Sequence, residues 1–376
     1  MSDGTKPIQM VALGPDDEAE RQEWIAALTR VVDTGAFCLG PEVTALERQV
    51  EELLEVPHTL GVSNGTDALK MALQAVGVGA GDEVIVPAYS FFASASMVTA
   101  LGATPVFVDV DAATLTMDPE AIAPAITERT KAVLPVHLYG QAAAMDRIQA
   151  ICDPRGLAIV EDAAQVFGIR YRGQALGSLG KAGTFSFYPT KNIGAPGDAG
   201  MLVTRDSEVF EQLQLLRVHG DRGGYNHTEL GWNARMDGFQ GAILQLRVAR
   251  FAQIQAQRAA NAERYLELLQ QHGLLGQVRP LGRTPGSDHG WHQFIVRVDD
   301  RERVRAALSD QGIPSGIYYP GTLPLQPVFA ELGHKPGAFP EAESAAADVL
   351  ALPVHHRVGA EDVDRVVAAL QSAIAS

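Results

Sequence analysis

The sequence predicts an α/β protein with a mostly parallel central sheet sandwiched by helices, followed by a smaller C-terminal α+β domain. Three observations carry this prediction. Between about residues 58 and 205, short apolar runs alternate with stretches of helical period. After about residue 240 the alternation gives way to a long helical stretch and a brief strand–helix–strand pattern. At 376 residues, the chain is also long enough to build more than one core.

In chain order, the strand-like runs are "HTLGVS", "EVIVPA", "TPVFVDV", "KAVLPVHL", "AIVEDA", "AGTFSF" and "GMLVT". Between the first two, "TDALKMALQAVG" sets Leu69, Ala72, Leu73 and Val76 at i, i+3, i+4 and i+7, which gives a helix one apolar face. Strands separated by such helices pair in parallel. "FQGAILQLRVARFAQIQAQRAANAERYLELLQQ" predicts one long helix that ends near Gly273. "HQFIVRV", a helix from Arg301 to Gln311 and "SGIYYP" predict a small β-α-β unit. The large domain is expected over residues 1–248 and the small one over 249–376, with the first 15 residues packing on the small domain.

Composition narrows the function. With 46% hydrophobic and 20% charged residues, the chain reads as globular. A formal net charge of -15 repels a phosphate backbone, so nucleic acid is not expected as a partner. Cys38 and Cys152 give neither a disulfide framework nor a metal cluster, and both are expected as buried small hydrophobes. The adjacent His355 and His356 are poorly spaced to share a metal and are expected on a surface turn, so no metal is expected. The N-terminal stretch lacks a basic region followed by an apolar run, and eighteen consecutive apolar residues occur nowhere. The expectation is a cytoplasmic protein that engages no membrane.

Three short motifs carry chemistry. In "VSNGTDAL" a strand is expected to end at Ser63 and a helix to start at Asp67, with Asn64, Gly65 and Thr66 in the turn. Free N–H groups and partial positive charge at a helix start suit an anion, and Gly65 lets the backbone approach it. The same residues would equally serve as a simple helix cap. In "IVEDAAQVFG", Glu161 and Asp162 stand where a strand runs out, the edge at which open α/β sheets bind ligands. In "TFSFYPTKNIGAPGDAG", Lys191 follows a strand and the "YPT" bend among small residues. A lysine becomes a nucleophile towards carbonyls only when its pKa falls. A phosphate cradle, a strand-end carboxylate and a lysine, in that order, suggest pyridoxal phosphate.

With those motifs assembled, the chain resembles the DegT/DnrJ/EryC1/StrS family of sugar aminotransferases. The similarity runs from "DTGAFCLGPEVTALERQVEELL" through "SNGTDAL", "VPAYSFFAS", "EDAAQ", "SFYPTKNIGAPGDAGM" and "LGWNARMDGFQGAIL" to "LPVHHRVGAEDVDRV". The resemblance implies the PLP-dependent transferase fold type I and a homodimer with shared active sites. It implies that Lys191 forms the aldimine with pyridoxal phosphate and then shuttles the substrate proton. Asp162 pairs with the pyridine nitrogen, Gln165 meets the ring hydroxyl, and Phe91 stacks on the ring rather than Tyr89 or Phe92. Gly65, Thr66 and Ser186 hold the phosphate, and Asn233, accompanied by Arg235, reaches that of the neighbouring subunit. His219, Arg235, Tyr318 and Tyr319 are the substrate candidates. Tyr318 replaces the histidine common in the family before the Tyr-Pro pair, and "TLPLQ" lacks another family histidine.

The implied reaction moves an amino group from glutamate, through pyridoxamine phosphate, to a keto sugar linked to a nucleotide, at C3. Amination at C4 is the nearer alternative. A dehydratase of the family would carry histidine where this chain has Lys191, and a regulator that keeps the pocket without turnover has no need of the intact Lys191, Asp162 and Gln165.

Overall fold

A computed structural model of the protein, describing residues 7–375, gathers the seven apolar runs into one sheet. Its strands are β1 (His58–Val62), β2 (Glu83–Pro87), β3 (Thr104–Val108), β4 (Thr130–Val133) and β5 (Ala158–Asp162). After a two-residue hairpin, β6 (Arg170–Tyr171) with β7 (Gln174–Ala175), come β8 (Ala182–Ser186) and β9 (Gly200–Thr204). The order across the sheet is β1-β9-β8-β5-β4-β2-β3. β9 runs antiparallel to both neighbours, and the remaining pairs are parallel. Helices cover both faces, which is why β2 is buried at every position and reads as a continuous apolar run.

Two close approaches fix how the strands meet the turns. A Cβ on Gly183 of β8 would lie 2.0 Å from the Gly177 carbonyl oxygen. A Cβ on Gly200 of β9 would lie 2.4 Å from the Asn64 carbonyl carbon, so only glycine admits the 63–66 turn there. The following helix is Gly65–Ala75. Its cap is Asn64, whose side chain accepts from the Asp67 N–H at 2.8 Å. The helix therefore starts two residues before the expected Asp67. Leu69, Ala72 and Leu73 are buried as the spacing predicts.

The expected single long helix is two helices, Gly238–Ala249 and Phe251–Gln271, with Arg250 between them at φ -96° and ψ 1°. The apolar faces explain the break. Leu244 and Val248 pack into the core under the large sheet, whereas Ala262, Tyr265 and Leu269 pack into the C-terminal core. A straight rod would not serve both.

A second antiparallel sheet follows, β10 (Val278–Pro280), β11 (Phe294–Val298) and β12 (Val349–Leu352), in that order. The helix Arg301–Asp310 lies where the sequence predicts it. The stretch "SGIYYP" is not a strand. It makes one bridge, Gly316 to Ala351, and then leaves the sheet. Beyond Gly316 its backbone pairs with side chains: the Tyr89 hydroxyl donates to the Tyr319 carbonyl at 2.9 Å, and the Tyr139 hydroxyl donates to that of Tyr318.

Two expectations about single residues fail. Cys38 is exposed, and Cys152 alone is buried. His355 is buried rather than on a surface turn, and its Nε2 meets the Gln9 carbonyl at 2.9 Å. His356 Nε2 meets Asp16 Oδ1 at 2.9 Å, and Arg357 Nη1 donates to the Leu13 carbonyl at 3.0 Å. Together with buried Ile8 in the C-terminal core, these contacts tie residues 8–16 to the end of the chain. Among the described residues, no helix is long and apolar enough to cross a membrane.

Candidate active site

A cavity of about 530 Å³ opens at the carboxyl ends of β5 and β8 and along the first turn of the Gly65–Ala75 helix. Gly65, Thr66, Phe91, Asp162, Gln165, Ser186, Lys191, Tyr318 and Tyr319 all line it. Residues more than two hundred positions apart are thus brought to one wall.

Strand alternation separates Glu161 from Asp162, sending neighbouring side chains to opposite faces. Glu161 is buried and accepts from the Leu179 and Gly180 N–H groups, both at 2.7 Å, and meets His137 Nε2 at 2.9 Å. It organises a loop. Asp162 turns into the cavity, where Oδ2 accepts from the Ser94 hydroxyl at 2.8 Å and Oδ1 from the Ala164 N–H at 3.2 Å. Burial raises its pKa, against the Ser94 and Ala164 hydrogen bonds and the charge of Lys191.

Lys191 keeps part of its surface open to the cavity, while protein encloses the rest. Burial lowers its pKa to about 8, with Asp162 opposing the shift. A pKa of about 8 brings the neutral amine within easy reach at physiological pH, which nucleophilic and proton-transfer chemistry requires.

Opposite stands a cradle for an anion. The N–H groups of Gly65 and Thr66 find no acceptor among the described residues, as expected in a first helical turn. Gly65 is there for space: a Cβ on it would lie 2.7 Å from Ser186 Cβ. The Thr66 and Ser186 hydroxyls flank the opening.

Aromatic rings close one side. Phe91 is 54% exposed, and its ring centroid stands 6.0 Å from that of Tyr319. Tyr89 is fully buried and Phe92 packs on Phe329 at 5.8 Å, so neither lines the cavity. Gln165 accepts from the Tyr139 N–H at 2.6 Å and donates to the Tyr319 hydroxyl at 3.3 Å. Burial raises the Tyr319 pKa, with Asp162 adding to the rise.

Three predicted residues stand outside the cavity of their own chain. Asn233 is exposed, and its Oδ1 accepts from Arg235 Nη2 at 2.8 Å. His219 is exposed on the segment that leads to the projecting Tyr225 and Leu230. Conversely, Asn192, His292, Arg258, Ser94 and His355 shape the site without having been read from the sequence. Arg258 had a legible signal. It falls on the buried stripe Ile254, Arg258, Ala262, Tyr265 and Leu269, a charge where the pattern demands an apolar residue. Among the described residues, no group of three His, Cys, Asp or Glu side chains is arranged to hold a metal ion.

Comparison with known proteins adds to this geometry. The model of the DegT/DnrJ/EryC1/StrS aminotransferase family matches residues 18–371. A Streptomyces venezuelae protein named dTDP-3-amino-3,4,6-trideoxy-alpha-D-glucose transaminase is 42% identical, over 94% of this chain and 93% of its own. A Geobacillus stearothermophilus protein named pleiotropic regulatory protein is 43% identical, over 96% of each. The crystal structure of S. venezuelae DesV in complex with a ketimine intermediate superposes with a TM-score of 0.94, at 41% identity over 98% of each chain.

Proposed function

The chain belongs to the DegT/DnrJ/EryC1/StrS aminotransferase family, and from that premise we propose that it transfers an amino group from glutamate to C3 of a keto sugar linked to a nucleotide. The observation that carries this reading is a single cavity with Lys191 and Asp162 on one wall and the glycine-built cradle of Gly65 facing Ser186. The similarity to a transaminase whose product is a 3-amino sugar supports C3. One relative carries a regulatory name, but this chain has Lys191, Asp162 and Gln165 together in its cavity, so we keep the enzymatic reading.

The donor set fits pyridoxal phosphate. Two unpaired N–H groups and two hydroxyls suit a phosphate dianion, and a glycine leaves the room that a side chain would fill. When bound, the cofactor supplies an electron-withdrawing ring and a carbonyl carbon that carries the amino group between substrates. Gly65, Thr66 and Ser186 hold the phosphate in this reading. The Asp162 carboxylate, kept in place by Ser94, would pair with the ring nitrogen, and the exposed Phe91 would stack on the ring. Gln165 keeps its amide beside the Tyr319 hydroxyl, near the ring substituent. Lys191 Nζ would serve as the base that takes up and returns the substrate proton, a task its lowered pKa suits. Tyr318 and Tyr319 border the space left for the sugar.

Asn233 and Arg235 lie outside their own cavity, which suits an assignment to the neighbouring subunit's phosphate in a homodimer. We keep the domain division at residue 248, near the Arg250 break between the two helices.

The test is the visible spectrum of the purified protein, followed by a panel of nucleotide-linked keto sugars. An absorbing cofactor band that bleaches with glutamate and returns with a 3-keto sugar is the expected result. A protein that takes up no pyridoxal phosphate overturns the reading, and recovery only with 4-keto sugars moves the reaction to C4.

A further inference from the structure

Among the described residues, two arginines, Arg247 and Arg258, are buried and Arg217 is largely enclosed; Arg247 and Arg217 face carboxylates. Arg247 stands 3.4 Å from Glu20, and Arg217 stands 2.9 Å from Glu47. The third, Arg258, is 5% exposed and has no carboxylate within ion-pairing distance among the described residues. Its Nη1 donates to the Trp291 carbonyl at 2.9 Å; its buried Nε has no partner, as also holds for Arg217 and Arg247, so the missing counter-charge is what sets it apart. An isolated buried guanidinium is costly to keep. Burial, with Arg247 adding repulsion, pulls its pKa down to about 9.

This unmatched cation borders the cavity just described. Arg258 and Lys191 line the same cavity, with His292 and Asn192 between them. Asn192, next to Lys191 in the chain, accepts through Oδ1 from His292 Nδ1 at 3.0 Å, and Arg258 Nη1 reaches the His292 carbonyl at 3.5 Å. The charges of both Lys191 and Arg258 act on His292, which burial first of all keeps neutral. Met10, Val11 and His355 line the same cavity, and Gln293 adds a buried amide oxygen without a partner.

We propose that Arg258 anchors a carboxylate of the amino-acid donor, holding its amino group towards Lys191. Arg pairs with a carboxylate through two parallel N–H···O bonds, and Nε is one of the donors such a fork uses. The cradle at Gly65 and Ser186 already accounts for a phosphate. Arg258 lines the cavity while only 5% exposed, which suits a small acid better than a bulky nucleotide diphosphate. The proposal rests on the transaminase reading but is tested separately from it.

The probe is glutarate, a dicarboxylate with no amino group to transfer, titrated calorimetrically into the cofactor-loaded protein. For Arg258→Gln the dissociation constant is expected to rise at least about tenfold, with partial recovery in Arg258→Lys, which keeps the charge but not the fork. Circular dichroism and the cofactor band report whether each variant is folded. Glutarate affinity within about twofold of the unsubstituted protein in a folded Arg258→Gln overturns the proposal. So does weakened binding only of a nucleotide-linked uronic acid, which would assign Arg258 to the sugar. If the protein takes up no pyridoxal phosphate, the transaminase reading fails, while glutarate binding to the cofactor-free protein still decides the role of Arg258.

Discussion

The Ser94 hydroxyl donates to Asp162 Oδ2 at 2.8 Å, from the second residue of the helix Ala93–Ala100 into the end of β5. This bond favours the charged carboxylate at a position where burial favours the neutral acid. Ser94→Ala should therefore raise the Asp162 pKa further. A hydrogen bond to a charged group is worth about 1.5–3 kcal/mol, which corresponds to about one to two pH units. The acidic limb of the pH–rate profile should move upward by that much. An unmoved limb in an active Ser94→Ala variant would show that Ser94 does not govern Asp162.

Lys191 makes cofactor-free stability depend on pH. Its folded pKa of about 8 lies below the ordinary lysine value of 10.5, so between these values the unfolded chain binds a proton that the folded chain lacks. Stability should rise as pH climbs through that window. Lys191→Met should stabilise the cofactor-free protein at pH 7 by up to about 3 kcal/mol, and the gain should vanish above about pH 10.5. Urea unfolding of both proteins at pH 7 and pH 10 measures this; equal midpoint differences at the two pH values would contradict it.

Gly65→Ala places a methyl group 2.7 Å from Ser186 Cβ. Either β8 or the 63–66 turn must shift, at about 1–3 kcal/mol. Cofactor affinity should fall at least about tenfold, read by titrating pyridoxal phosphate against intrinsic fluorescence, and the melting temperature should fall with it. Unchanged affinity would mean that the cradle lies elsewhere.

Shared active sites predict complementation. Lys191→Ala and Asn233→Ala homodimers should each be impaired, the first almost completely. After the two are unfolded together and refolded, each mixed dimer holds one site with neither substitution. Statistical mixing then restores roughly a quarter of the activity. Activity no higher than the mean of the two separate proteins would place Asn233 and Lys191 in the same subunit's site.

The parallel sheet was readable because its strands are short, apolar and separated by helical periods. The cavity wall of Gly65, Asp162 and Lys191 was readable because each stands at or shortly after the end of such a run. What the local pattern missed depends on partners distant in the chain. The stretch "SGIYYP" has strand composition, yet the hydroxyls of Tyr89 and Tyr139 take up its backbone. The break at Arg250 follows from two cores that lie in different directions, which helical periodicity alone does not register. Ser94 and His292 show their use only when helix, strand and loop converge. Arg258 was different: its place on an apolar stripe was visible, and only the absence of a counter-charge needed the structure.

The tight fit of Gly200 against Asn64, and of Gly183 against Gly177, bears on how a saturation map of this chain should be interpreted. Both positions should tolerate substitution as poorly as Lys191 does, although neither lines the cavity. Intolerance at Lys191 reflects chemistry, and the folded protein should survive its loss. Intolerance at Gly183 and Gly200 reflects room for the main chain, and should appear first as lost abundance. Scoring the amount of protein alongside its turnover would separate the residues that react from those that merely leave space.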